Sequence, residues 1–481
     1  MSNFERDNEM ARRIAEKVAE KGGRTFYVGG LVRDRMLGKP NKDVDIEIHG
    51  VEFEDLKGIL ENLGHLDERK VGDNFGILNL KGYDVDIAMP RSEKPSGEGG
   101  HKDFIIDVDP YIGYENAAKR RDFTINAMME DVLTGEVLDY YGGKEDIKNG
   151  VIRHVDDTTY VDDPLRVLRA AQFAARFNFD VAPETVEISR KMDLTKLSRE
   201  RIAGELDKAL MKAEKPSVFF DELGKMNQLH DWFPEVEALA NTPQGAAHHP
   251  EGDVYKHTMM VLDEAAKVKN ETSNPRYFMV AALCHDFGKP LVTEYNEEKG
   301  KIQSLGHDEA GVEPAKAFIK RVYNENDMTK YVKNMVELHM KSTALTNNNS
   351  SKKSFFKMYD TSVNPKDLIM LSKCDHLGRS VEGKTFDDRE KVLNERLAQF
   401  EDAMSKPHVT GGDLIAKGYS PGPKFKEMLD YAHKCRLAEV DKDTVMRQIR
   451  GQFGKSPLEQ VMNTADNIEE RSDNVLVKEK E

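Results

Sequence analysis

Two aspartates, Asp43 and Asp45, alternate with apolar residues in the stretch DVDIEI. On a strand, alternate residues project from one face, so these carboxylates would stand side by side while Val44 and Ile46 point into a core. Adjacent unpaired carboxylates repel, and a hard divalent cation such as Mg2+ relieves them. Just upstream, Gly29 and Gly30 follow the strand-like run TFYV. Without side chains there, backbone N–H groups can approach a phosphate closely, and Arg33 can add charge-assisted hydrogen bonds. The ensemble suits a nucleoside triphosphate. A bare D-x-D is more often an acidic strand in solvent; its combination with the glycine pair and Arg33 is what disfavours that reading.

A second set of residues lies further along, in YKHTMMV, ALCHDFGKP, SLGHDEAG, ELHM and SKCDHLGR, which contain His257, His285, Asp286, His307, His339 and Asp375. Neighbours on a helix differ by about 100 degrees, so His285 and Asp286 could both reach one cation held between two helices. His257 and Asp375 would complete its ligands. Lone histidines on helices mostly pack or face solvent, but four of them with two aspartates in this order point to a metal centre. Imidazole donors favour softer cations than an all-oxygen site does, so a transition metal such as Ni2+ or Mn2+ is expected here and Mg2+ at the first site.

The elements that must carry these residues change character along the chain. Residues 1–150 mix an amphipathic first helix with strand-like runs (TFYVGG, DVDIEI, GILNL, YDVDIAM, EVLDYY) punctuated by glycine and asparagine, the pattern of a small α+β domain. From about residue 160 the period is helical, as in DPLRVLRAAQFAARF and VYKHTMMVLDEAAKV. The breaker-rich LANTPQGAAHHPEGD marks a junction near 240–253. The expected fold class is an α+β head with a small mixed sheet, residues 1–150, followed by all-α parts: a neck at 151–240, a metal-binding domain at 241–400, a further helical segment at 401–455 and a polar tail at 456–481 expected to be disordered. At 481 residues the chain exceeds one hydrophobic core. Its three cysteines suggest no disulfide framework, and no run approaches a membrane span; a soluble cytoplasmic protein is expected. The net charge of −15 argues against nucleic-acid binding by bulk charge, leaving local basic surface to serve any polyanion.

GGLVRDRMLG, DVDI, KRRDFTINAMM, DYYGGKEDI, DDPLRVLRAAQFAARF and SRERIAGEL, in this order, resemble the class II tRNA nucleotidyltransferases and related bacterial poly(A) polymerases over the first half of the chain. The resemblance implies that Asp43 and Asp45 are the catalytic metal carboxylates, with Asp86 a further acid. It places Gly30, Arg33, Arg120 and Arg121 at the triphosphate and Asp122 at the ribose. Two cations a few ångströms apart would activate the attacking 3'-hydroxyl and stabilise leaving pyrophosphate. A helix expected to begin at Asp162 puts Asp163, Arg166, Arg169, Phe173 and Arg176 on one face. By itself a D-x-x-R is most often a surface salt bridge; the resemblance makes it the base-selecting motif. Cytosine and adenine both offer an amino donor beside a ring-nitrogen acceptor, which an Asp acceptor next to an Arg donor would select against uracil and guanine.

Residues 250–380 resemble the HD superfamily of metal-dependent phosphohydrolases. The two halves together resemble the bacterial multifunctional CCA proteins. That resemblance implies an enzyme that adds CCA to tRNA from CTP and ATP, and that hydrolyses 2',3'-cyclic phosphates, 2'-nucleotides and phosphatase substrates with His285 and Asp286. His257, His285, Asp286 and Asp375 would hold its metal, and His307 and His339 a second metal or a phosphate. By the same resemblance VTGGDLIAKGYSPGPKFKEML helps to hold tRNA, by shape and backbone rather than base sequence. The alternatives use the same motifs: a poly(A) polymerase, which would carry a G-[RK]-[RK]-F stretch where this chain has Asp73 and Asn74; a CC-adding enzyme, against which the long polar run 91–110 argues; or an HD phosphohydrolase with a non-catalytic RNA-binding head. Monomer and homodimer remain equally open.

Overall fold

The computed structural model describes residues 3–67, 77–95, 104–245, 249–381, 385–406 and 408–454. The chain forms two compact units, 1–240 with 318–324, and 241–317 with 325–481.

The first unit opens with helix α1 (Asn3–Glu20), strand β1 (Arg24–Val28), helix α2 (Gly30–Met36), strand β2 (Val44–His49), helix α3 (Phe53–Leu63) and strands β3 (Ile77–Leu78) and β4 (Val85–Ala88). These strands and the Met129–Asp131 and Val137–Leu138 strands make a mixed sheet in the order β3-β4-β2-β1 followed by the last two. Alternation sets its two faces. Val44, Ile46 and Ile48 join Met10, Ile14, Val18, Leu56 and Leu60 in one core, so α1 and α3 cover that side. The other face of β2 carries Asp45, Glu47 and His49. It is closed at the His49 end, where Phe26 and the Tyr114 ring pack edge-on. A one-residue slip of β2 would bury the carboxylates in the apolar core, so the alternation fixes the register.

Past the sheet the unit is mainly helical. The helix expected to start at Asp162 begins instead at Leu165, running Leu165–Phe177 with Pro164 at its N-cap. Asp163 thus lies in the preceding turn, where its carboxylate accepts from the Leu165 N–H at 3.1 Å. Proline sets that boundary, because it disfavours helical geometry in the residue before it.

In the second unit the helices Val254–Val268, Pro275–Cys284, Asn326–Asn347 and Pro365–Leu377 pack against one another. Two of them start with the same device: Asn274 and Asn364 cap with their side chains while Pro275 and Pro365 occupy the first turn. His285 and Asp286 fall in the turn just after the Pro275–Cys284 helix rather than on it. A short antiparallel hairpin, Glu294–Asn296 with Lys301–Gln303, interrupts a stretch expected to be wholly helical. The segment 408–454 has its own small core of Val409, Leu414, Met428, Ala432, Val445 and Ile449. Among the described residues, no helix is long and apolar enough to cross a membrane. Asp73 and Asn74, residues 96–103 of the polar run, and the polar tail lie outside the described residues.

Candidate active sites

β2 and β4 run parallel, and their register sets Asp45 directly beside Asp86. Asp43 precedes β2 on the same side, its N–H held by the Asn41 side chain at 2.8 Å. Asn79 donates to Asp86 at 2.6 Å. Burial, then the neighbouring Asp86 and Asp43 carboxylates, push the Asp45 carboxyl up to about 6, against the Arg121 guanidinium, which pulls it down. Three converging carboxylates with one so perturbed, and only oxygen donors, fit a hard divalent cation such as Mg2+. The sign of the pH effect follows. A proton and a cation compete for Asp45, so Mg2+ affinity at this site should fall as pH drops through 6, by up to tenfold per pH unit below it. Titrating Mg2+ by calorimetry at pH 7.5, 6 and 5 checks this, and an unchanged affinity at pH 5 would refute it.

The same strand face continues into Glu47, buried and paired with Arg121 at 2.8 Å and with His49 at 2.9 Å. Arg121 is therefore anchored beside the carboxylates. Arg120 donates to the Arg91 carbonyl. Gly29 takes φ of 64° at the turn into α2, a conformation that favours glycine, and Gly30 is the first residue of that helix.

Arg33 departs from its expected place at a phosphate. It is buried, paired with Asp34 at 2.6 Å, and donates to Asn126 at 2.7 Å. Its guanidinium lies 5.2 and 4.8 Å from the Phe173 and Phe177 ring centroids. Arg33 ties α2 to Asn126 and to the Leu165–Phe177 helix from within. Asn126 passes the chain of bonds to Asp122 at 3.0 Å, and Arg169 pairs with Asp122 at 2.6 Å. Burial would raise the Asp122 carboxyl, but Arg169 and these hydrogen bonds hold it below the usual range.

The helical face that Asp163 and Arg166 were expected to share is also corrected. Asp163 is gripped by Arg201 through both oxygens, at 2.7 and 2.9 Å. Arg166 instead donates to two backbone carbonyls, of Thr159 at 2.5 Å and Arg120 at 2.8 Å. The start of the helix at Leu165 explains it: Asp163 is no longer one turn from Arg166 on a shared face.

In the second unit the histidines are arranged by their backbone hydrogen bonds. His285, His307 and His339 each place Nδ1 against a carbonyl, of Ala282, Ser304 and Val336, at 2.7, 2.7 and 2.6 Å. A carbonyl only accepts, so each Nδ1 carries a proton, and Nε2 is the atom left to meet a cation. Two of these Nε2 atoms, of His307 and His339, face each other 3.2 Å apart. The Nε2 of His285 is buried without a hydrogen-bond partner. Such a donor set fits a divalent cation closely. Besides an outer group of His249, Glu251 and His257, two buried groups emerge, His257, His285 and Asp375, and Asp286, His307 and His339, the candidate ligand atoms of each lying within 4.8 Å of one another. Asp286 stands between them, 3.3 Å from His285 and 3.4 Å from His307. The oxygen that faces His285 is also 3.6 Å from His257, the grouping expected from sequence, while its other oxygen faces His307 and His339. Burial opposes ionisation of Asp286, but the surrounding imidazoles and Lys289, at 2.7 Å, hold it well below the usual carboxylate range. The turn that carries it depends on Gly288, where any Cβ would overlap the His307 carbonyl oxygen.

Several residues of these sites were not singled out from sequence. Glu47 continues the D-x-D alternation by one more step. Lys289 follows His-Asp by three residues, a helical turn's reach. Arg201 lies in SRERIAGEL, yet nothing local says that it meets Asp163, 38 residues away.

Family models match the chain in three places: the Poly A polymerase head domain at residues 25–153, the Probable RNA and SrmB- binding site of polymerase A at 178–239, and the HD domain at 254–380. In structure the chain resembles a Bacillus stearothermophilus CCA-adding enzyme in complex with CTP, with a TM-score of 0.61 and 20% identity over 94% of this chain and 99% of that one. It also resembles a Thermotoga maritima CCA-adding enzyme complexed with tRNA, with a TM-score of 0.59 and 19% identity over 92% and 95%. These likenesses establish the fold. In sequence, a multifunctional CCA protein of Chromobacterium violaceum is 39% identical over 306 residues, 63% of this chain and 70% of its own. One of Actinobacillus pleuropneumoniae is 35% identical over 321 residues, 65% of this chain and 74% of its own. With identity at this level across most of those relatives' length, and both a head and an HD domain in the same order, the chain belongs to the multifunctional CCA protein family.

Proposed function

We propose that this chain adds or repairs the 3'-terminal CCA of tRNA from CTP and ATP without a nucleic-acid template, and that its HD centre hydrolyses phosphate esters. The observation that carries the first part is the alignment of Asp45 with Asp86 beside Asp43 on an open sheet face. Asp43, Asp45 and Asp86 would hold the divalent cations. When bound, these ease deprotonation of the attacking 3'-hydroxyl and offset charge on the leaving pyrophosphate. Arg121, fixed by Glu47, faces the triphosphate, and Asp122, held by Arg169 and Asn126, accepts from the ribose. Asp163 accepts from the amino group shared by cytosine and adenine, which supports selection of C and A by protein alone.

In the HD centre, His257, His285, Asp286 and Asp375 would hold a cation, and His307 and His339, which also lie near Asp286, a second metal or a phosphate. A bound cation there makes water acidic enough to attack phosphorus near neutral pH. Lys289, beside Asp286, is placed to meet a phosphate oxygen. The substrates that suit this centre are 2',3'-cyclic phosphates, 2'-nucleotides and simple phosphomonoesters. Three free cysteines fit a cytoplasmic setting.

The deciding experiment supplies tRNA lacking its last three nucleotides together with all four triphosphates and sequences the product. Addition of C, C and A, then arrest, is expected. A run of A would show a poly(A) polymerase, arrest after CC a CC-adding enzyme, and no addition a non-catalytic head.

A further inference from the structure

The stretch HHPEGDVYKHT contains a carboxylate, Glu251, that the metal chemistry above does not use. Its Oε1 lies 3.1 Å from Nδ1 of His257 and 2.9 Å from Nδ1 of His249. Its Oε2 accepts from the Ser380 N–H at 3.1 Å. The Glu251 side chain is nearly buried. One carboxylate therefore joins the His257 ring on the Val254–Val268 helix to the segment just past the Pro365–Leu377 helix, which carries Asp375. These are two ligands of the same candidate metal group, and His257 Nε2 sits 3.1 Å from Asp375.

His257 differs from its three partners in one respect. Their Nδ1 protons are held by carbonyls of the chain three residues earlier. His257 has Glu251 in that place. A carboxylate is the stronger acceptor: it fixes the tautomer that leaves Nε2 bare, and it makes the imidazole a better donor to a cation. We propose that Glu251 is a positioning residue of the HD centre, setting the metal affinity of the His257, His285 and Asp375 group by holding the Nδ1 proton of His257 and the chain beyond Asp375. This rests on the reading of that centre as a metal site. His249 shares the carboxylate from the outside and, with its own Nδ1 turned to Glu251, contributes no atom to that group.

The test uses the full chain, stripped of metal and titrated with Co2+ while the visible absorption is followed. Glu251→Ala is expected to weaken Co2+ binding about 10- to 100-fold. Glu251→Gln keeps an acceptor oxygen without the charge, and should restore part of that loss. His249→Ala should leave affinity within about threefold of the unaltered chain, the scatter expected for a group outside the ligands. In the Co2+-loaded chain the exchangeable imidazole N–H resonance of His257 should disappear in Glu251→Ala while those of His285, His307 and His339 persist. Equal Co2+ affinity in the unaltered chain and in Glu251→Ala, with His285→Ala weakened, would overturn this inference alone. Failure of the unaltered chain to bind Co2+ would overturn the metal centre and this inference with it. Circular dichroism accompanies each variant, and loss of affinity in Glu251→Ala with no recovery in a folded Glu251→Gln would assign the effect to packing and refute the positioning role.

Discussion

Asp45→Ala is expected to reduce nucleotide addition at least about a thousandfold while leaving hydrolysis of a 2',3'-cyclic nucleotide within about twofold of normal. Three decades correspond to about 4 kcal/mol, the scale of charge stabilisation that a metal site supplies. Asp45 is the central carboxylate, aligned with Asp86 in the sheet and close to Asp43, so its removal dismantles the site without touching the apolar face of β2. The fold should survive. In the metal-free chain it should even gain stability near neutral pH. The Asp45 carboxyl lies at about 6 when folded, above its ordinary value, so its charged form opposes folding above pH 6 and that penalty fades as pH falls toward 4. His285→Ala should do the reverse, abolishing hydrolysis and sparing addition, because the two sites share no residue. Both reactions, measured on the same preparations with thermal unfolding as control, decide the matter. Loss of both activities in a folded Asp45→Ala chain would refute two separate centres.

Asp163→Ala should raise incorporation of UTP or GTP relative to CTP and ATP by roughly tenfold to a hundredfold, the effect of losing one base-directed polar contact worth about 1 to 3 kcal/mol. The structure sharpens this expectation through Arg201. One guanidinium nitrogen reaches both oxygens of the Asp163 carboxylate and so fixes the direction in which that acceptor faces. Arg201→Ala should therefore relax selectivity in the same sense. Arg166→Ala should act differently. Because Arg166 braces the Thr159 and Arg120 carbonyls, its loss should slow addition of every nucleotide and leave the ratio between them nearly unchanged. Single-nucleotide addition with each triphosphate, on tRNA ending before and after CC, separates these outcomes. Unchanged discrimination in a folded Asp163→Ala chain would leave Asp163 as an ordinary partner of Arg201.

What the sequence made legible was periodicity and short-range spacing. The alternation around Asp43 and Asp45 gave the strand, its two faces and its acidic side, because a period of two has only one solution once one face is apolar. The six HD residues were visible because histidine is scarce here, 14 in 481 residues, and four of them recur in order with two aspartates. What stayed hidden was contact between distant segments. Arg33 reads as a phosphate ligand beside a glycine pair, yet it turns inward because Asp34, Asn126 and two phenylalanine rings offer it a buried, fully paired position. Asp163 and Arg166 read as neighbours on one helical face, and the proline between them moved the helix start past the aspartate. Glu251 lies in a stretch that reads as loop, and nothing in its composition says that it reaches His257.

The turn at Gly288 carries one more meaning, for chains other than this one. The space beside its α-carbon is filled by the His307 carbonyl and the Gly311 backbone, so a methyl group there would wedge two strands of main chain apart rather than merely crowd a side chain. Asp286 and His307 would separate with them. A relative that retains every histidine and aspartate of the centre but has alanine at this position would thus look intact to any inventory of ligands while being unable to close them around an ion. The smallest residue in the motif is therefore as much a requirement of the centre as the charged ones.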